Sequence, residues 1–214
     1  EPSSEVKMHI DVYKNRSDVN AVVHAHPPFA TGFAVAGLAL DQCILPEIII
    51  SLGSIPLAEY GTPSTYEIPQ NVRKYLKDHN VFLLENHGAL SIGPDVYKAY
   101  YRMESLELFA KITLVAKLLG RVNILGEEEV KRMIELRKKW GLGDNYPGCR
   151  INGKVVKDGE ELAEERPKVF ETSGKSTTAF NLTKQDGGSI TISVDELIKI
   201  ITEVVKSILN RKVF

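Results

Sequence analysis

The stretch VFLLENHGALSIG, residues 81–93, decides the reading of this chain. Two short apolar runs flank the break Asn86-His87-Gly88. Runs of this length, bounded by turn residues, read as a pair of strands. Outward from that pair, helical and extended patterns alternate. Upstream, residues 64–78 read as a helix starting at Ser64 or Thr65, and residues 44–58 hold two candidate strands, ILPEIII and SIPLA. PPFATGFAVAG (27–37) begins with prolines, which a first helical turn tolerates, and ends at Gly37. AVVHAH (21–26) is a short strand pattern rich in valine, and residues 3–15 form a helix capped by Ser3 or Ser4. Downstream, residues 95–119 form a long helix stopped by Gly120. Residues 126–140 form a second, acidic at its start and basic near its end, as the helix dipole favours. This alternation predicts an α/β domain over residues 1–144, with helices packed on a sheet whose strand directions stay open.

Beyond residue 144 the character changes. Residues 145–192 are polar, rich in Gly, Ser, Thr and Lys, and lack sustained periodicity, so they are expected to form a flexible linker. Residues 193–211 are expected to form an amphipathic helix. Ser193 and Glu196 match a capping box, and Val194, Leu197, Ile198, Ile201, Val204, Val205, Ile208 and Leu209 share one face.

The chain has 214 residues and is 43% hydrophobic, enough for a sizeable core. Its net charge of -1 lacks the clear basic excess that points to a nucleic-acid or anionic-membrane surface, and neither partner is expected. No apolar stretch approaches the ~20 residues of a membrane span. Cys43 and Cys149 lie far apart with no CxxC partner and are expected to be ordinary thiols in a reducing cytoplasm.

Three features carry chemistry. His24-Ala25-His26 ends a strand, where residues i and i+2 face the same side, so both imidazoles can address one point. His87, followed by Gly88, sits on a tight turn. Ser3-Ser4-Glu5 opens a helix, where free N–H groups, hydroxyls and the positive dipole end suit a phosphate. Each alone has a plain structural reading: satisfied histidines for the first two, N-capping for the third. His9 is expected to be a packing or surface residue, and His79 to sit in a solvated turn.

Together, PSSE (2–5), VVHAH (22–26) and LLENHG (83–88) resemble the class II aldolase/adducin family, and within it most of all the L-fuculose-1-phosphate aldolases. LAEYGTPST (57–65) and the helix YRMESLELFAKITLVAKLLG strengthen the likeness, which extends over residues 1–148. The resemblance implies a three-layer α/β/α fold around a mostly antiparallel sheet. It implies that His24, His26 and His87 bind a divalent metal, zinc suiting three imidazoles better than magnesium. Glu5 would be a further metal ligand and the general base, Tyr60 a proton donor reaching across a subunit boundary, and Ser3 and Ser4 part of a phosphate site. The implied reaction is cleavage of a ketose 1-phosphate to dihydroxyacetone phosphate and an aldehyde such as lactaldehyde, by a homotetramer. No Schiff-base lysine is required when a metal can stabilise the enediolate.

Family members carry a further segment before PSSE, including TxGN-type residues of the phosphate site. The chain starts at Glu1 inside a motif, so a truncated parent is expected. The tail resembles the encapsulation peptides that send enzymes into bacterial microcompartments. Pentulose-phosphate 4-epimerases and methylthioribulose-phosphate dehydratases of the same family are an alternative, although epimerases usually carry Asp where Glu5 stands. A non-catalytic, adducin-like scaffold is another, and members of that type lose metal ligands.

Overall fold

The computed structural model describes residues 2–142, 146–157, 160–162, 179–183 and 189–193, together with Glu196, Lys199, Ile200 and Glu203. The chain divides into two compact units, residues 1–165 and 166–214.

The first unit is a mixed α/β fold built on a mostly antiparallel four-stranded sheet. The strands are β1 (Ala21–Ala25), β2 (Leu57–Ala58), β3 (Val81–Leu84) and β4 (Gly88–Gly93), in the order β1-β4-β3-β2. β1 and β3 both run antiparallel to β4, and β2 runs parallel to β3. The helices are α1 (Val6–Asn15), α2 (Pro28–Val35), α3 (Pro46–Ser51), α4 (Glu67–Arg73), α5 (Val96–Leu118) and α6 (Glu127–Lys139).

Strand alternation divides the core. Val81, Leu83 and Ala89 bury with Ala30, Phe33 and Ala34 of α2 and Met103, Leu106, Phe109 and Ala110 of α5. Phe82, Leu84, Leu90 and Ile92 bury with Met8 and Val12 of α1 and Ile68 and Val72 of α4. The period of two in a strand sends successive side chains to opposite faces, and both sets here are apolar because helices cover both. The hairpin read from residues 81–93 is therefore the centre of the fold.

Several expectations are corrected. ILPEIII holds a helix, α3, and not a strand. Pro46 supplies a preset φ in the first turn and Glu47 meets the dipole there, while Ile48 and Ile49 bury in two different clusters. Residues 145–192 are not wholly a linker, because β5 (Cys149–Ile151), β6 (Lys154–Lys157) and β7 (Glu160–Leu162) form an antiparallel sheet. β5 is also laced to residues 41–43. Arg150 N donates to Asp41 O at 2.7 Å, Cys43 N donates to Arg150 O at 3.1 Å, and the Arg150 guanidinium pairs with Asp41 at 2.7 Å. The first unit thus extends past the expected boundary at 144 to residue 165.

Cys43 and Cys149 are joined in a disulfide 106 residues apart, and so are not free thiols. The bond withdraws the argument for a reducing compartment that was drawn from them. Both sulfurs lie in a third apolar cluster with Ile49, Val130, Ile134, Tyr146 and Val156.

In the second unit, β8 (Ala179–Thr183) pairs antiparallel with β9 (Ser189–Ser193). Ser193, expected as a helix cap, ends β9. The amphipathic helix and encapsulation peptide expected over 193–211 otherwise fall almost wholly outside the described residues. Among the described residues, no helix is long and apolar enough to cross a membrane.

Candidate metal centre

The sheet order explains how three histidines distant in sequence meet. β1 ends where its antiparallel neighbour β4 begins, with Ala25 opposite Ala89. The β3–β4 turn lies at that same end. His24 and His26 leave the end of β1, and His87 sits in the turn beside them. Leu84 O accepts from His87 N at 3.0 Å, and Asn86 at φ 54° turns the chain in the left-handed region that asparagine tolerates.

The donor nitrogens of His24, His26 and His87 all lie within 4.8 Å of one another. Ring centroids are 4.9 Å apart for His24–His26 and His24–His87, and 5.1 Å for His26–His87. His24 Nδ1–H donates to Ala89 O at 2.9 Å, which leaves Nε2 with its lone pair facing the cluster. Among the described residues, His24 Nε2 and His87 Nδ1 are buried without a hydrogen-bond partner. Buried ring nitrogens are rarely left so, and a metal ion answers both at once. The residues present therefore fit a divalent metal.

Electrostatics agree with that fit. Burial holds the His24 imidazole below the usual histidine range, against the Ala89 hydrogen bond and the Glu5 charge, which push it up. Burial also lowers His87, again opposed by Glu5. Both rings are thus biased to the neutral form that binds metal. His9, one turn along α1, is half-buried, and burial lowers its pKa with the Glu5 charge opposing.

Ser3 and Ser4 are exposed at the head of α1. Ser3 Oγ accepts from Glu5 N at 3.3 Å, and Ser4 Oγ lies 3.5 Å from Glu5 Oε1. Tyr60 is placed differently. Its ring is 53% exposed, and its hydroxyl makes no hydrogen bond among the described residues. Its main chain, however, is firmly held. Tyr60 N donates to Glu85 Oε2 at 2.7 Å, and Asn71 Nδ2 donates to the carbonyls of Glu59 and Tyr60 at 3.2 and 3.0 Å. Glu85, two residues before His87, ties the Tyr60 loop to the histidine turn. Sequence reading missed it, although it stands inside the quoted LLENHG. His79 is not solvated as expected: it is half-buried, its Nε2 lies 3.3 Å from Ser54 Oγ, and burial lowers its pKa.

A family profile described as the Class II Aldolase and Adducin N-terminal domain matches residues 1–114. The L-fuculose phosphate aldolase of Methanococcus maripaludis (strain C5) is 32% identical over 119 residues, covering 56% of this chain and 64% of its own length. The L-fuculose phosphate aldolase of Escherichia coli (strain K12) is 30% identical over 142 residues, covering 66% of each chain. A solved structure of an L-fuculose 1-phosphate aldolase superposes with a TM-score of 0.59 at 34% identity, covering 64% of both chains. The chain belongs to the class II aldolase/adducin family. It spans just under two thirds of the length of the curated relatives it matches.

Proposed function

We propose that this chain carries the metal-binding part of an aldolase that cleaves a ketose 1-phosphate, of the L-fuculose 1-phosphate type, to dihydroxyacetone phosphate and an aldehyde such as lactaldehyde. The observation that carries the reading is the convergence of three imidazoles with two orphaned ring nitrogens. A bound divalent metal, zinc by preference for this donor set, would supply Lewis-acid stabilisation of the negative oxygen charge that develops as the C–C bond breaks.

His24, His26 and His87 would hold that ion. Glu5, at the head of α1, would join them as a ligand at rest and would give a proton to the carbon that loses its bond partner in cleavage. Ser3 and Ser4 offer hydroxyls and helix N–H groups to the phosphate. The exposed Tyr60 would, from a neighbouring subunit in a homotetramer, exchange a proton through its hydroxyl with the oxygen of the aldehyde half, taking it as the carbonyl forms in cleavage and returning it in condensation.

The test is metal content together with cleavage of L-fuculose 1-phosphate and L-rhamnulose 1-phosphate, in the presence and absence of chelator. Both assays use the protein at its full encoded length. One metal per chain and chelator-sensitive release of dihydroxyacetone phosphate are expected. Bound metal without cleavage would move the assignment to epimerase or dehydratase chemistry, and absence of metal would sink it.

A further inference from the structure

The first turn of α2 follows directly on the histidine pair, and α2 does not cap itself. Its N-cap is Pro27, which offers no side-chain hydrogen bond, so its first N–H groups need outside partners. Glu107, on α5, provides them. Glu107 Oε1 accepts from Phe29 N at 3.0 Å, and Oε2 accepts from Ala30 N at 2.8 Å, across 78 and 77 residues of chain. The carboxylate also meets the positive end of the α2 dipole. One turn further along α5, Lys111 Nζ lies 5.5 Å from the centre of the Phe29 ring. α5 therefore grips the start of α2 at two points.

Between that grip and His26 stand only Pro27 and Pro28. Each proline ring locks its own φ, and each restricts the residue before it, so His26 and Pro27 are both confined. The connection behaves as a short stiff rod: where the first turn of α2 goes, the main chain of His26 follows. On its other side the His26 ring lies against Gly88, where no Cβ fits.

We propose that Glu107 is a positioning residue of the metal centre, fixing the direction in which the chain leaves His26 by capping α2 from α5. The proposal rests on the reading of His24, His26 and His87 as metal ligands. The Glu107 carboxylate is bonded to the main chain of Phe29 and Ala30, so it acts through backbone. A borrowed cap that served stability alone would leave the ligand geometry unchanged when removed, and that difference can be measured.

The experiment titrates metal-free protein with cobalt(II), following its visible absorption and measuring affinity by chelator competition. Wild type is compared with Glu107→Ala, Glu107→Gln and His24→Ala. Loss of an outer partner of a metal ligand lowers affinity by roughly 10–100-fold, and an effect passed through backbone should fall near the lower bound. Glu107→Ala is expected to bind cobalt about tenfold more weakly with a changed spectrum. Glu107→Gln, which keeps an acceptor oxygen, should fall between it and wild type. If Glu107→Ala does not fold, Glu107→Gln decides. Unchanged affinity and spectrum in a folded Glu107 variant, with His24→Ala abolishing binding, would overturn the proposal while leaving the metal site intact. A wild-type chain that binds no cobalt at these histidines would overturn the metal reading and the proposal with it.

Discussion

Gly88 shows how little freedom the histidine turn has. A Cβ on this residue would run into His26 Cδ2 and would stand 2.7 Å from Ala25 O. The glycine is needed for close approach, and not for a left-handed backbone. Gly88→Ala should therefore displace the His26 ring or push β1 from β4. Metal affinity is expected to fall at least tenfold, as for other disturbed ligand settings, and stability by about 1–3 kcal/mol from overpacking. Isothermal titration with zinc and urea unfolding of the metal-free variant would check this, and an unchanged affinity would contradict it. At this scale the sequence was informative. Two histidines at i and i+2 on a strand and a third before glycine advertise convergence. Glu85 and Glu107 were not legible, because each acts on the backbone of a residue distant in sequence.

At the scale of elements, the legible parts were those with local marks: α1 by its opening serines and apolar positions, α5 by its length and the stop at Gly120, α6 by its acidic start and basic end, and the β3–β4 hairpin by two apolar runs around Asn86-His87-Gly88. α3 was misread because a run of three isoleucines resembles a strand, while Pro46 and Glu47 carried the weaker helical signal. β5 and β6 were missed although Asn152-Gly153, both at positive φ, is a local two-residue hairpin signal between them; only the tie of β5 to residues 41–43 is long-range. The Cys43–Cys149 bond belongs to the same long-range class. In the chain-entropy account, a cross-link spanning about a hundred residues removes much freedom from the unfolded chain, and typical measured gains are about 2–4 kcal/mol. Urea unfolding with and without a phosphine reductant should differ by about that amount. Coincident curves, with reduction verified by thiol titration, would show that the bond adds nothing to stability.

For the molecule as a whole, His9, His24, His79 and His87 share one electrostatic bias: burial sets each below the ordinary histidine value of 6.5 in the folded chain. Each binds its proton less readily folded than unfolded. The stability this bias confers is present above pH 6.5 and is lost as pH falls below it, because the unfolded chain takes up protons first. The urea midpoint of metal-free protein should drop between pH 7 and pH 5. His79→Gln, outside the metal centre, should make that drop shallower. A midpoint that held steady or rose on acidification would contradict the assignment. The first unit was read only to residue 144, since its last strands are short and mix polar with apolar residues, of which Cys149 and Val156 are buried.

The cystine has one more consequence, for the covalent topology of the chain. Arg121 is exposed in the segment between α5 and α6, inside the span that Cys43 and Cys149 close. A single tryptic cut after Arg121 would yield two peptides still fastened to each other. On a non-reducing gel the nicked protein would run as one band, and with thiol added it would part into two. All three histidines would travel with the longer piece, so the cut chain could be tested for zinc both before and after the pieces are released.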